Sequence, residues 1–389
     1  MSEHAAVSVP WGPNFGIELP GGIDVAWADL VPSSGTVAIA TSAKGDPVWV
    51  DVRAPKEFAE DHIPGAVSVP LFDDQERAVV GTIYRWEGGG AARQWGLERV
   101  TQRLDAFTER LLAALELTED APARPGSPGA ADERPRVIVC ARGGQRSGAV
   151  AAYLRARGHS VYRLTGGHRS YRHAVRAALS RLEIPGPIAL NGLTGCGKTH
   201  VLRSIRERYP RRVIDLEGLA GHRSSVLGDV GLEPATQKQF EARLAQELSQ
   251  LEGPWTVFEW EARRIGNREL PAEVYTRLRA APQIELRASI AQRVRILADD
   301  YLACGGIEEV KRRLPLLASF PAVGPDGVER LTRDLDAGRV HEVVTFLLAN
   351  HYDPRYHHGN QGLERVHTVE LGTFSQTADA IVRWIEARS

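Results

Sequence analysis

Residues 192–199 read Gly192-Leu193-Thr194-Gly195-Cys196-Gly197-Lys198-Thr199, between an apolar run that ends at Asn191 and a stretch of helical character. The pattern G-x-x-x-x-G-K-[ST] in that setting demands a strand, a glycine loop and a helix in succession, which restricts the fold more than any other feature of the chain. The glycines let the backbone wrap a di- or triphosphate, and the helix N-terminus adds a favourable dipole. Lys198 is expected to reach the terminal phosphates, and Thr199 to reach Mg2+ if a metal is used. Cys196, inside the loop, reads better as a small filler than as a reactive thiol. A phosphate loop also needs a carboxylate at the end of a neighbouring strand. Asp215 in Val213-Ile214-Asp215-Leu216-Glu217 and Glu259 in Val257-Phe258-Glu259-Trp260-Glu261 both end apolar runs. Either could serve, and either could instead cap the loop that follows. No Asn-Lys-x-Asp motif is present to read a base, which admits a diphosphate that is not part of a nucleotide.

A second strand-and-loop unit precedes it. Val137-Ile138-Val139 runs straight into Cys140-Ala141-Arg142-Gly143-Gly144-Gln145-Arg146-Ser147. A β-branched strand places Sγ at its carboxyl end, and the paired glycines let successive N–H groups turn inward as an anion nest. Arg142 and Arg146 add positive charge, which favours the thiolate. Covalent chemistry is expected at Cys140.

The rest of the chain alternates in the same manner. Strands are expected at 47–52, 66–69, 137–139 and 161–164, with helices at 56–61, 99–115 and 148–157; Val100, Leu104, Phe107, Leu111, Leu112 and Leu115 share one face of the second. Residues 118–135, rich in Pro, Gly, Ala and charge, read as a mobile insertion. Glu183-Ile184-Pro185-Gly186-Pro187 is the expected seam between domains 1–183 and 184–389. Beyond it come strands at 188–191, 213–216 and 256–260, helices to about 208 and over 237–251, and a mainly helical remainder. The order implies an α/β chain with two parallel sheets flanked by helices.

At 389 residues, 43 % hydrophobic and 25 % charged, the chain is long enough for two cores and ordinary for a globular protein. No apolar run is long enough to span a membrane. The start, Met1-Ser2-Glu3-His4, lacks a basic region followed by an apolar stretch, and the three cysteines are too far apart for a disulfide framework. A cytoplasmic location, no membrane partner and a monomer are therefore expected. His357 and His358 have no partner at ligand spacing, so no metal site is expected there. Net charge is −1, yet Arg163, Arg169, Arg172, Arg176 and Arg181 fall in a stretch without an acidic residue. With Tyr171 among them, this stripe suits a phosphate backbone and an unstacked base; a solvated helix face is the plainer reading. Arg263 and Arg264 are further candidates for RNA contact.

Together these motifs resemble a known family. Val50-Asp51-Val52-Arg53 with Glu57-Phe58, His62-Ile63-Pro64-Gly65-Ala66, the cysteine loop and Leu164-Thr165-Gly166-Gly167 resemble a rhodanese domain. The second half is similar to the P-loop domain fused to rhodanese in bacterial tRNA 2-selenouridine synthases, through 191–199, Asp215-Leu216-Glu217-Gly218-Leu219-Ala220, His222-Arg223, 259–266 and His351-Tyr352-Asp353-Pro354. The implied fold is a rhodanese-like parallel sheet followed by a P-loop NTPase-like α/β domain with a helical C-terminal part.

That resemblance implies replacement of sulfur by selenium in wobble 2-thiouridine of a tRNA anticodon loop, with selenophosphate as donor and no tightly bound cofactor. It also implies geranylation of the sulfur from geranyl diphosphate, whose diphosphate is assigned to Gly192–Thr199. Cys140 to Arg146 spans C-x-x-x-x-x-R, one residue longer than the usual sulfur-carrying loop and wide enough for a tetrahedral anion such as selenophosphate. Attack by the Cys140 thiolate would leave selenium on the enzyme and release phosphate, with Arg142 and Arg146 neutralising charge. Two alternatives stay open: a rhodanese-like cysteine phosphatase, and a nucleotide-driven sulfurtransferase or binding protein.

Overall fold

The computed structural model describes residues 24–25, 47–118, 134–304, 306–355 and 364–388. Residues 119–133 of the expected insertion and the His357–His358 pair lie outside the described residues. The chain divides into two compact units, Met1–Val175 and Arg176–Ser389.

The first unit is built on one sheet of β1 (Asp24–Val25), β2 (Val48–Asp51), β3 (Val67–Ser68), β4 (Arg136–Val139) and β5 (Tyr162–Leu164), in the order β1-β5-β4-β2-β3. All pairings are parallel. Val137, Ile138 and Val139 are fully buried, as a central strand covered on both faces requires. The helices are α1 (Pro55–Glu60), α2 (Asp74–Trp86), α3 (Gly88–Thr101), α4 (Leu104–Ala114), α5 (Gln145–Ala156) and α6 (Gly167–Arg181). Phe107, Leu111, Leu112 and Leu115 enter the core with Ile138, Val150 and Leu154, so the apolar face expected at 100–115 is real. It belongs, however, to two helices and not one. Arg103 breaks the run: its guanidinium reaches both Glu76 carboxylate oxygens at 2.9 and 2.6 Å and the Leu71 carbonyl at 2.8 Å. Helix α2, unforeseen from periodicity, starts at a capping box in which Asp73 accepts from the Glu76 N–H and Glu76 from the Asp73 N–H.

The second unit carries β6 (Pro187–Asn191), β7 (Val213–Ile214), β8 (Thr256–Glu259), a small antiparallel pair β9 (Arg264–Ile265) and β10 (Arg268–Glu269), β11 (Gln283–Arg287) and β12 (Arg365–Glu370). The main sheet has the order β12-β11-β6-β8-β7, again all parallel. The remainder after residue 260 is mainly helical, as expected, and β11 and β12 complete the sheet. Its helices are α7 (Lys198–Arg208), α8 (Leu216–Ala220), α9 (Gln237–Ser249), α10 (Ala272–Arg279), α11 (Ile290–Cys304), α12 (Gly306–Arg313), α13 (Gly324–Asp336), α14 (Val340–Leu347) and α15 (Phe374–Glu386). Central strand β6 delivers the glycine loop at its carboxyl end, next to the end of β8.

Candidate functional site

Cys140 sits at the end of β4, 3 % exposed, with Sγ 3.1 Å from the buried Ser147 hydroxyl at the start of α5. The loop between them is held by its neighbours. The Cys140 carbonyl accepts from the His168 N–H at 2.8 Å, and the Ala141 carbonyl from the Arg169 N–H at 3.1 Å. Gly143 and Gly167 both have positive φ, +62 and +58, and a Cβ on Gly167 would lie 2.1 Å from the Cys140 oxygen. These glycines exist because two backbone segments cross at that point.

Behind the loop lies a buried polar frame. Arg53 donates from Nε to Asp51 at 2.9 Å and from Nη2 to the Asp61 carbonyl at 2.6 Å. Asp61 Oδ2 in turn faces His168 Nε2 at 3.1 Å and Arg172 Nη1 at 3.4 Å. This overturns part of the expected RNA stripe. His168, Tyr171, Arg172 and Val175 form the buried face of α6, with Tyr171 1 % and Arg172 7 % exposed, because positions i, i+3, i+4 and i+7 face the core. Tyr171 and Arg172 thus pack into the core of this unit and present little surface to solvent. Arg169 and Arg176 remain exposed on the other face.

Arg146 also behaves differently from the expected free cation: its guanidinium donates to Glu57 at 2.8 Å. Burial alone would raise the Glu57 carboxyl, but the hydrogen bond and charge of Arg146, the Ala54 N–H and Arg77 together bring it down to about 2. Arg142 is exposed, and Gly144 and Gln145 stand at the solvent side of the loop. In front of Cys140 opens a cavity of 1390 Å³, with Leu71, Phe72, Val100 and Phe107 among its apolar lining residues and Arg142 and Arg146 among its cationic ones.

In the second unit Gly192, Gly195 and Gly197 all have positive φ, 152, 78 and 87, and the loop they bend is closed by the Cys196 N–H donating to Leu193 O at 3.1 Å. Lys198 Nζ donates to the Gly192 carbonyl at 3.0 Å, folded over the loop. Cys196 is buried with the core cluster of this unit, and burial pushes its thiol up, which fits a filler. Glu259, fully buried, accepts from the Thr199 hydroxyl at 3.2 Å and from the Glu217 N–H at 3.0 Å. Asp215 instead caps α8, accepting from the Gly218 N–H at 2.7 Å. Of the two carboxylates singled out, Glu259 alone hydrogen-bonds the phosphate loop. Burial and the neighbouring carboxylates push the Glu259 and Glu217 carboxyls up; for Glu261 burial is what raises it. Of the three, Glu259 is fully buried and Glu217 and Glu261 are half-buried.

Sequence reasoning missed one element of this site. Arg293 on α11, 3 % exposed, donates to the Thr194 carbonyl at 2.8 Å and pairs with Asp353 at 2.6 and 3.0 Å. A buried arginine between two distant segments leaves no local signal. Arg263 and Arg264 sit exposed at β9, with Arg263 3.2 Å from Glu269 and Arg264 donating to the Gly266 carbonyl at 3.1 Å. Among the described residues no cluster of three metal-ligating side chains exists, and no helix is long and apolar enough to cross a membrane.

Comparison with known proteins agrees with this two-part plan. Residues 36–174 match a rhodanese-like domain, and residues 186–314 match the AAA domain of tRNA 2-selenouridine synthase. The chain is 32 % identical to a tRNA 2-selenouridine synthase of Nitrosomonas europaea over 70 % of this chain and 69 % of that protein. It is 35 % identical to one of Bdellovibrio bacteriovorus over 69 % and 68 %. A third, from Cupriavidus pinatubonensis, is 31 % identical over 87 % of this chain and 94 % of its own length.

Proposed function

The chain belongs to the tRNA 2-selenouridine synthase family, and on that premise we propose that it exchanges the sulfur of a wobble 2-thiouridine for selenium, with selenophosphate as donor and an S-geranyl-2-thiouridine intermediate made from geranyl diphosphate. The observation that carries this reading is a buried cysteine lining an arginine-rich cavity, in the same chain as a loop bent by three glycines of positive φ in the G-x-x-x-x-G-K-[ST] pattern.

In the first reaction the thiouridine sulfur attacks C1 of geranyl diphosphate. A C–S bond forms, the C–O bond breaks, N3 of the base gives up its proton and diphosphate leaves into the loop 192–199. Lys198 and the loop N–H groups offset the charge that develops on the leaving group. A hydroxyl and a carboxylate oxygen 3.2 Å apart, Thr199 and Glu259, suit a Mg2+ ion that takes its other ligands from water and phosphate. Such an ion, when bound, would supply further neutralisation of the diphosphate.

In the second reaction selenophosphate enters the cavity at Cys140. Electron balance decides how it reacts. Thiolate and selenide are both fully reduced, so joining them as a selenopersulfide sheds two electrons that a departing phosphate cannot accept. Attack at phosphorus balances: the Cys140 S–P bond forms, the P–Se bond breaks and selenide leaves as the nucleophile. Water then hydrolyses the phosphocysteine to thiol and phosphate. Arg142 and the loop N–H groups hold the phosphoryl oxygens, and the Ser147 hydroxyl, 3.1 Å from Sγ, orients the sulfur. Selenide (HSe−) adds to C2 of the S-geranyl nucleoside, its proton restores N3–H, the C2–S bond breaks with geranyl thiolate leaving, and C2=Se remains. The apolar lining at Leu71, Phe72, Val100 and Phe107 offers the prenyl chain a place beside the thiol.

The test is incubation with thiolated tRNA and nucleoside mass analysis. Geranyl diphosphate alone should give S-geranyl-2-thiouridine, and added selenophosphate should convert it to 2-selenouridine. Equal selenation without geranyl diphosphate would remove the intermediate, and no selenation in the full mixture would remove the function.

A further inference from the structure

The cavity beside Cys140 carries more positive charge than one selenophosphate needs. Arg77, Arg85, Arg93, Arg142, Arg146 and Arg163 line it, against the single carboxylate of Glu57. Arg77 and Arg146 both face that carboxylate, at 3.4 and 2.8 Å, whereas Arg85, Arg93 and Arg142 make no ion pair among the described residues. Most acids of the same segment are occupied: Asp73 caps α2, Asp74 accepts from the Lys56 N–H at 2.9 Å, and Glu76 pairs with Arg103 at 2.6 Å. Asp73, Asp74, Glu87 and Glu98 are exposed on this segment, and among them Glu98 accepts from the Gln94 amide at 3.4 Å.

At the C-terminal end of α2, whose Tyr84 and Arg85 line the cavity, two aromatics face water. Trp86, the last residue of α2, is 78 % exposed and Tyr84 is 61 % exposed, the two highest values among large hydrophobic side chains of the described residues. Tyr84 also lines the cavity mouth. Leaving two large rings in solvent, interleaved with free arginines, is unfavourable for a bare surface and suited to a partner with stacking faces and phosphates.

We propose that this rim, Tyr84-Arg85-Trp86 with Arg93, binds the anticodon loop of the tRNA and so delivers the wobble nucleoside to the cavity that ends at Cys140. The proposal rests on the function given above, which requires an unpaired nucleoside at that thiol. Bases splayed from the loop stack on Trp86 and Tyr84, and flanking phosphates meet Arg85, Arg93 and Arg142. A small anionic substrate would leave the outer ring of Trp86 unused.

The experiment uses the full chain and a labelled anticodon stem-loop RNA with 2-thiouridine at the wobble position, followed by fluorescence anisotropy across a salt series. Trp86→Ala and Tyr84→Ala should each weaken binding about tenfold, and Trp86→Phe should retain it. Arg85→Glu with Arg93→Glu should flatten the dependence of log affinity on log salt by about one to two units. Alkylation of Cys140 by iodoacetamide should keep its rate in Trp86→Ala, since that side chain lies outside the cavity. Wild-type affinity and slope in all these variants would overturn the rim as the RNA surface while leaving the proposed function standing. Absence of binding by the unaltered chain would overturn both.

Discussion

The Arg146 guanidinium lies 2.8 Å from the Glu57 carboxylate, joining the cysteine loop to helix α1. The arginine that closes the C-x-x-x-x-x-R loop is thereby fixed in place and largely neutralised, with its side chain 17 % and that of Glu57 28 % exposed. Within the cysteine loop itself, positive potential for an incoming anion falls to Arg142 and the backbone N–H groups. The pair sets the shape of the loop, and its charge can be released if a stronger anion competes for Arg146.

This ion pair should appear in the acid stability of the protein. The Glu57 carboxyl sits at about 2 in the folded chain against an ordinary 4.5. A lowered folded value means stability that is present above about 4.5 and is lost as pH falls toward 2. Glu57→Gln should therefore lower the unfolding free energy near neutrality, measured by urea titration, by roughly 2 kcal/mol, and erase the dependence on pH in that window. An unchanged profile would show that the pair is too solvated to matter.

Gly167→Ala tests the crossing of the two backbone segments. A methyl group there would meet the Cys140 carbonyl at 2.1 Å and the Gly143 nitrogen at 2.4 Å, on a backbone with φ of +58. Expected is a loss of at least about 2 kcal/mol in chemical denaturation, together with loss of selenation.

Tyr171→Ala should act as a core deletion, costing roughly 3–5 kcal/mol. Its RNA affinity, measured under conditions where the variant is folded, should match that of the unaltered chain. A selective loss of RNA binding at full stability would instead restore Tyr171 as a recognition residue.

Lys198→Ala should separate the two reactions. Removing a charged contact to a leaving diphosphate is worth roughly 10- to 100-fold in affinity for geranyl diphosphate, read by isothermal titration. Conversion of tRNA that already carries S-geranyl-2-thiouridine should persist. Tighter binding of ATP or GTP than of geranyl diphosphate in the unaltered chain would favour a nucleotide-driven protein.

The two strand-loop-helix units were legible because local chemistry imposes them. Val137 to Ser147 and Ile188 to Thr199 each join a β-branched or apolar run to glycines that only a turn of positive φ uses. Glu259 was legible only as one of two, because Asp215 also ends an apolar run; the hydrogen bond from Thr199 is what separates them. What escaped was set by tertiary partners. The break between α3 and α4 depends on Arg103 finding Glu76, distant in sequence, and nothing in the 99–115 pattern announces it. The role of Arg293 depends on Thr194 and Asp353 in the same way. The charge run at 163–181 misled because arginine count does not record which face is buried; the spacing of His168, Tyr171, Arg172 and Val175 carries that signal. Tyr84-Arg85-Trp86, by contrast, could have been noticed as aromatics interleaved with arginine.

The central claim is that the Cys140 thiol drives selenium transfer, and Cys140→Ser tests it most directly. With thiolated tRNA, geranyl diphosphate and selenophosphate, nucleoside mass analysis should show S-geranyl-2-thiouridine accumulating in this variant and no 2-selenouridine. Formation of 2-selenouridine at the rate of the unaltered chain would contradict the account.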